Sequence, residues 1–175
     1  MDTQTVDLKS LIRAIPDWPK PGILFRDITP LLANHDGYLA AVEALVADYK
    51  DIEVDYVAAV EARGFIFGSA VAERLKAGFI PVRKKGKLPA KTTSYTYDLE
   101  YGTDTLEVHE DAVHSGAKVL LVDDLLATGG TMGAACHLIE QVGGDIVGLS
   151  FLIELSDLAG RAKLGSHKIS TVITY

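Results

Sequence analysis

Apolar and polar positions follow two rhythms along this chain, and the change between them organises it. Leu8, Leu11, Ile12 and Ile15 recur at i, i+3, i+4 and i+7, the stripe of an amphipathic helix over residues 6–15 that Pro16 would end. Pro16-Asp17-Trp18-Pro19-Lys20-Pro21-Gly22 cannot enter a central strand and reads as an irregular surface excursion leading into Ile23-Leu24-Phe25. Leu39, Val42, Leu45, Val46 and Tyr49 mark a second helix, with Asp36 as its cap.

From residue 54 the rhythm becomes short apolar runs separated by helical stretches. Strands are expected at 54–60, 79–82, 118–122, 146–153 and 169–174, and helices at 65–76 and 132–142, the second stopped by Gly143-Gly144. Runs apolar on both faces and joined by helices imply an α/β fold with a central, mostly parallel sheet flanked by helices. Ligands of such folds bind beyond the carboxyl ends of the strands. Thr93, Tyr95, Tyr97 and Leu99 alternate with other residues, Tyr101-Gly102-Thr103-Asp104 is turn material and β character resumes at Thr105, so a hairpin is expected between 92 and 109. The polar, aperiodic stretch 84–91 before it reads as a mobile loop of the kind that closes over a site. No repeat or linker interrupts the pattern, and residues 1–175 are read as one domain.

Composition narrows the class. With 175 residues, 48% of them hydrophobic, the chain can bury a core of its own. No apolar run reaches the length of a membrane span and the first residues lack the pattern of a signal peptide, so a cytoplasmic protein is expected. The single cysteine, Cys136, excludes a disulfide scaffold and is expected to be a packed, inert thiol. A net charge of −7 argues against a nucleic-acid partner. Within that acidic background Arg83-Lys84-Lys85-Gly86-Lys87 is either a solvated run or a local anion site. The five histidines form no Glu-x-x-His or His-x-x-x-His pattern, so no dedicated metal cage is expected.

The chemistry concentrates in Val119-Leu120-Leu121-Val122-Asp123-Asp124-Leu125-Leu126-Ala127-Thr128-Gly129-Gly130-Thr131. A buried strand ends at two adjacent carboxylates, and a small, hydroxyl-bearing, double-glycine turn leads into a helix. Gly129 and Gly130 let the backbone approach an anion, the first helical amides lack intrahelical partners, and Thr128 and Thr131 add hydroxyl donors. Carboxylates would repel a bare phosphate. Asp123 and Asp124 make sense if the ligand also presents sugar hydroxyls and a magnesium ion. Neither a Gly-x-x-x-x-Gly-Lys-Ser/Thr loop nor a Gly-x-Gly-x-x-Gly turn is present. Glu61-Ala62-Arg63-Gly64 lies between another predicted strand and helix, where Arg63 and the backbone amides could hold a second anion; an ordinary turn with a surface arginine is the bland alternative.

These residues carry a resemblance. Asp123 to Thr131 resembles the 5-phosphoribosyl 1-pyrophosphate (PRPP) signature of type I phosphoribosyltransferases, and its Leu-Leu-Ala interior is similar to the version in adenine phosphoribosyltransferases. The resemblance runs in five motifs from about residue 16 to residue 155. It implies the type I fold with a small N-terminal hood, about 1–35, and a flexible hairpin loop, about 83–105. It implies PRPP binding by Asp123, Asp124, Ala127, Thr128, Gly129, Gly130, Thr131, Arg63, Arg83, Lys87 and Tyr101, with Arg83 reaching the pyrophosphate of the neighbouring subunit in a homodimer. Arg63 and Lys87 would stabilise the departing pyrophosphate. Glu100 is implied as the acid/base near the purine, and Tyr101 as part of the closing loop. Phe25 would stack on adenine, the Leu24 and Arg26 main chains would read its N6 and N1 edge, and Leu125 would cover the other face. Ala59 departs from the family, which commonly has glycine two residues before the glutamate.

The activity implied is formation of AMP and diphosphate from adenine and PRPP, with Mg2+ carried by PRPP and no metal bound directly by the protein. The same chemistry on another purine, and a non-catalytic PRPP-sensing regulator, are the alternatives.

Overall fold

The computed structural model describes residues 6–99 and 102–175. It divides into two units, residues 1–44 and 45–175. In the first, the stripe at Leu8, Leu11, Ile12 and Ile15 does not become the expected helix. The Asp7 carboxylate accepts hydrogen bonds from the Lys9 and Ser10 amides, winding one short 3-10 turn, Leu8–Leu11. Beyond it the backbone extends into β1 (Arg13–Pro16), which pairs antiparallel with β2 (Leu24–Asp27). Arg13 donates to Asp27 through Nε at 2.9 Å and Nη2 at 2.6 Å, adding a charged tie to that pairing. A ten-residue helix is marginal alone, so the pairing prevails over the local stripe.

The proline-rich stretch between these strands is irregular, as expected, with Asp17 in the left-handed region. Two helices follow, α1 (Thr29–Ala33), which the pattern did not indicate, and α2 (His35–Val46). The α2 cap is Asn34, whose Oδ1 accepts from the Gly37 amide at 2.8 Å. Asp36 instead sits inside the first turn, where its charge favours the helix dipole.

The second unit is built on a seven-stranded sheet of order β5-β6-β4-β3-β7-β8-β9. Its strands are β3 (Tyr56–Val60), β4 (Gly78–Lys84), β5 (Thr92–Asp98), β6 (Thr103–His109), β7 (Lys118–Leu126), β8 (Asp145–Glu154) and β9 (Ile169–Thr174). Neighbours from β4 through β3, β7 and β8 to β9 run parallel, while the β5–β6 hairpin adds antiparallel strands beside β4. The expected mostly parallel sheet is therefore present, with the predicted hairpin on one edge.

Strand alternation sends side chains to opposite faces. Ala58, Val60, Val119 and Leu121 join the core with Ala135, Leu138 and Ile139 of α4 (Gly130–Gln141). On the other face α3 (Arg63–Leu75) packs against β3 and β7. Ala59 keeps regular pairing with Pro81 and Val122, and Gly68 of α3 makes room for its methyl group, since a Cβ at 68 would lie 2.6 Å from the Ala59 Cβ.

Consecutive connections thus leave β3 and β7 for opposite faces, the crevice-forming arrangement of open α/β sheets. The β3 pairing with β7 stops at Ala59 and Val122, whereas β7 continues to Leu126 against β8. Asp123 and Asp124 were expected where the strand ends. They lie within it, on an overhang that β8 supports.

Candidate active site

A cavity of about 410 Å3 occupies that crevice, lined by residues 60–63, from the end of β3 to the start of α3, and 123–132 from β7, the turn and the start of α4. The helices on either side begin without a side-chain cap: Ala62 precedes α3, and Gly129, at φ 80°, precedes α4. Their first amides are donors without intrahelical partners. Gly64, in the first turn of α3, allows close approach to β7, because a Cβ there would lie 2.8 Å from Asp123 Oδ1. That same Oδ1 accepts from the Asp124 amide at 2.9 Å.

Asp124 is buried and pairs with Arg63, whose Nε lies 2.9 Å from Oδ2. The carboxylate expected at the ribose and the guanidinium expected at the pyrophosphate are therefore neighbours. Burial, followed by the charge of Asp124, pushes the Asp123 carboxyl well above its ordinary value. Burial also raises Asp124, against the pull of Arg63.

Arg83 and Lys87 stand at the neighbouring strand end rather than in the cavity lining. Arg83 Nε donates to Glu61 Oε1 at 3.2 Å, and its Nη1 donates to the Lys87 carbonyl at 3.2 Å. Glu61 also accepts from the Lys84 amide at 2.8 Å. Burial alone would raise the Glu61 carboxyl, but the Lys84 amide and then Arg83 hold it below its ordinary value. Glu61, passed over in the sequence except as part of its loop, thus organises the basic segment. The hairpin reaches the turn through Tyr97, whose hydroxyl lies 3.2 Å from Thr131 Oγ1.

Leu125, Ala127, Thr128, Gly129, Gly130 and Thr131 all line the cavity. Leu24, Phe25 and Arg26 lie on β2 of the first unit, where the Phe25 ring meets Trp18 edge-on at 4.4 Å between centroids. The lone tryptophan among prolines was the sequence signal for that partner. Glu100 and Tyr101 fall outside the described residues. Cys136 is buried, and burial pushes its thiol up to about 12, as suits the inert group expected. Among the described residues no cluster of three or more His, Cys, Asp or Glu could hold a metal ion, and no helix is long and apolar enough to cross a membrane.

The fold and the crevice define a phosphoribosyl transferase: the family described as phosphoribosyl transferase domain matches residues 30–172, and the chain belongs to it. The adenine phosphoribosyltransferase of Solibacter usitatus is 57% identical over 169 residues, covering 97% of this chain and 98% of the relative. A crystal structure of the enzyme from Thermoanaerobacter pseudethanolicus superposes with a TM-score of 0.93 at 51% identity, covering 96% of this chain and 98% of that one. That from Saccharomyces cerevisiae, complexed with an imino-altritol bisphosphate and adenine, gives 0.91 at 37% identity, covering 96% and 97%. Within the family, the chain belongs with the adenine phosphoribosyltransferases.

Proposed function

We propose that this chain transfers the phosphoribosyl group of PRPP to N9 of adenine, giving AMP and diphosphate, a purine salvage step. The observation that carries the reading is the meeting in one cavity of an adjacent carboxylate pair, an uncapped double-glycine turn and the arginine that begins α3. A ligand that suits all three presents hydroxyls, a phosphate monoester and a second anion. PRPP carries all of these parts in one molecule.

In this reading Asp123 and Asp124 accept hydrogen bonds from the ribose hydroxyls, and the Ala127 to Thr131 amides hold the 5′-phosphate. Arg63, Lys87 and a partner subunit's copy of Arg83 stabilise the leaving pyrophosphate. N9 attacks C1′ with inversion as the bond from C1′ to the pyrophosphate oxygen breaks, and Glu100 handles the purine proton. The Leu24 and Arg26 main chains read the N6 and N1 edge, Phe25 and Leu125 cover the two faces of the base, and Tyr101 belongs to the closing loop. The oxygen donors of Asp123 and Asp124 suit a hard, hydrated cation. Mg2+ brought by PRPP supplies charge neutralisation of the pyrophosphate. Residues 1–175 act as one transferase domain in a cytoplasmic homodimer.

The acid/base role is tested by Glu100→Gln, expected to lower kcat by about two to four orders of magnitude, whereas activity within about twofold of the parent would remove it. Asp124→Asn should weaken PRPP binding or turnover; an unchanged kcat/KM would remove the ribose role.

A further inference from the structure

The double-glycine turn is shaped from outside the cavity. Gly160 stands against it: a Cβ on Gly129 would collide with the Gly160 carbonyl, and a Cβ on Gly160 with the Ala127 carbonyl. The segment carrying Gly160 is anchored at its start by the Leu155 amide, which donates to the Leu126 carbonyl at 2.9 Å. At its far end stands Arg161, which donates to both oxygens of the buried Glu154, from Nε to Oε1 at 2.6 Å and from Nη2 to Oε2 at 2.7 Å. Arg161 also reaches β9, at the Thr171 hydroxyl (3.2 Å) and the Ile169 carbonyl (3.4 Å). The two-pronged bond closes the 154–161 segment into a loop fixed to the ends of β8 and β9, with the Gly160 backbone pressed against the turn.

None of residues 154–161 lines the cavity. We propose that Glu154 and Arg161 are positioning residues which, through the Gly160 backbone, hold the 127–131 turn in its anion-binding shape and so set affinity for the 5′-phosphate. Two adjacent glycines give a turn wide conformational freedom, and ordering it on binding would weaken affinity. A rigid backbone packed against it removes that loss beforehand. The guanidinium charge is balanced by Glu154, so the contribution is one of shape. A lysine at 161 keeps the charge and loses the planar fork.

This inference rests on the phosphate role proposed for the turn, and its test separates the two. Binding of AMP and of inorganic pyrophosphate is measured by calorimetry for Arg161→Met, Arg161→Lys and Thr128→Val, with steady-state KM for PRPP and adenine alongside. For both Arg161 variants the AMP Kd and the KM for PRPP should rise by about tenfold, a size usual for residues sharing one network, with pyrophosphate affinity, adenine KM and kcat little changed. The milder Arg161→Lys carries the test if Arg161→Met fails to fold. Parental AMP affinity in Arg161→Lys would assign the role to charge and overturn the inference. Loss of kcat alone, or equal loss of AMP and pyrophosphate binding, would mark a general structural role and also overturn it. Unchanged AMP binding at Arg161 beside weakened binding in Thr128→Val would overturn the inference and leave the phosphate turn standing. Unchanged binding in all three variants would overturn the inference, and AMP that leaves the amide NMR signals of residues 127–131 unshifted in the parent would overturn the phosphate role of the turn as well.

Discussion

Asp123 is held where its charge works against folding. Its carboxyl is raised by burial and by the neighbouring Asp124 charge, so ionising it costs the folded chain more than the unfolded one. That cost is absent below the unfolded pKa of about 3.9, grows as pH rises from there through the folded pKa, and is fully present above it. Asp123→Asn removes the charge and keeps an oxygen for the Asp124 amide. The variant should melt higher than the parent at neutral pH, the difference shrinking as pH falls through the folded pKa, and should bind PRPP less well. A lower melting temperature at neutral pH would contradict this account of the pair. Cys136 gives a second residue-scale prediction. Its buried thiol should resist an aromatic disulfide reagent in the folded protein and react only after denaturation; rapid labelling of the native chain would contradict its burial.

Elements carry the site by where they stop. β3 ends early, β7 runs on against β8, and α3 begins beside the overhang with Gly64 against Asp123. Gly64→Ala should therefore push the carboxylate aside and raise the KM for PRPP by up to about a hundredfold, the scale of a displacement near one ångström. An unchanged KM would show that the Asp123 position is not set by α3. The run Val119 to Val122 made β7 legible in the sequence, but its continuation through Asp123 to Leu126 depends on pairing with β8, which no local pattern encodes. The same limit explains residues 6–15. Their apolar spacing was helical, while the pairing of Arg13 with Asp27 is a partnership between distant positions. The Asn34 cap was missed for a different reason, since α1 hides the start of α2 one residue after it.

At the scale of the whole molecule, alternating apolar runs and helices were enough to indicate a parallel α/β sheet with its ligand at the strand ends. Asp123 to Thr131 and Arg63, which line one cavity, stood out in the sequence because their chemistry is local: adjacent carboxylates, paired glycines, an arginine at a strand-to-helix turn. Glu61 and Gly160 did not, because each meets a neighbour far off in sequence, and the Glu154–Arg161 pair, though close along the chain, matters only where it fixes Gly160 against the turn. The central claim is that the crevice between β3 and β7 binds PRPP for transfer to a 6-aminopurine. It is tested most directly by incubating the purified protein with PRPP, millimolar Mg2+ and equal adenine and hypoxanthine, and quantifying nucleotide products and diphosphate. AMP and diphosphate should form in equal amounts with little IMP. No AMP, or IMP in excess of AMP, would contradict it.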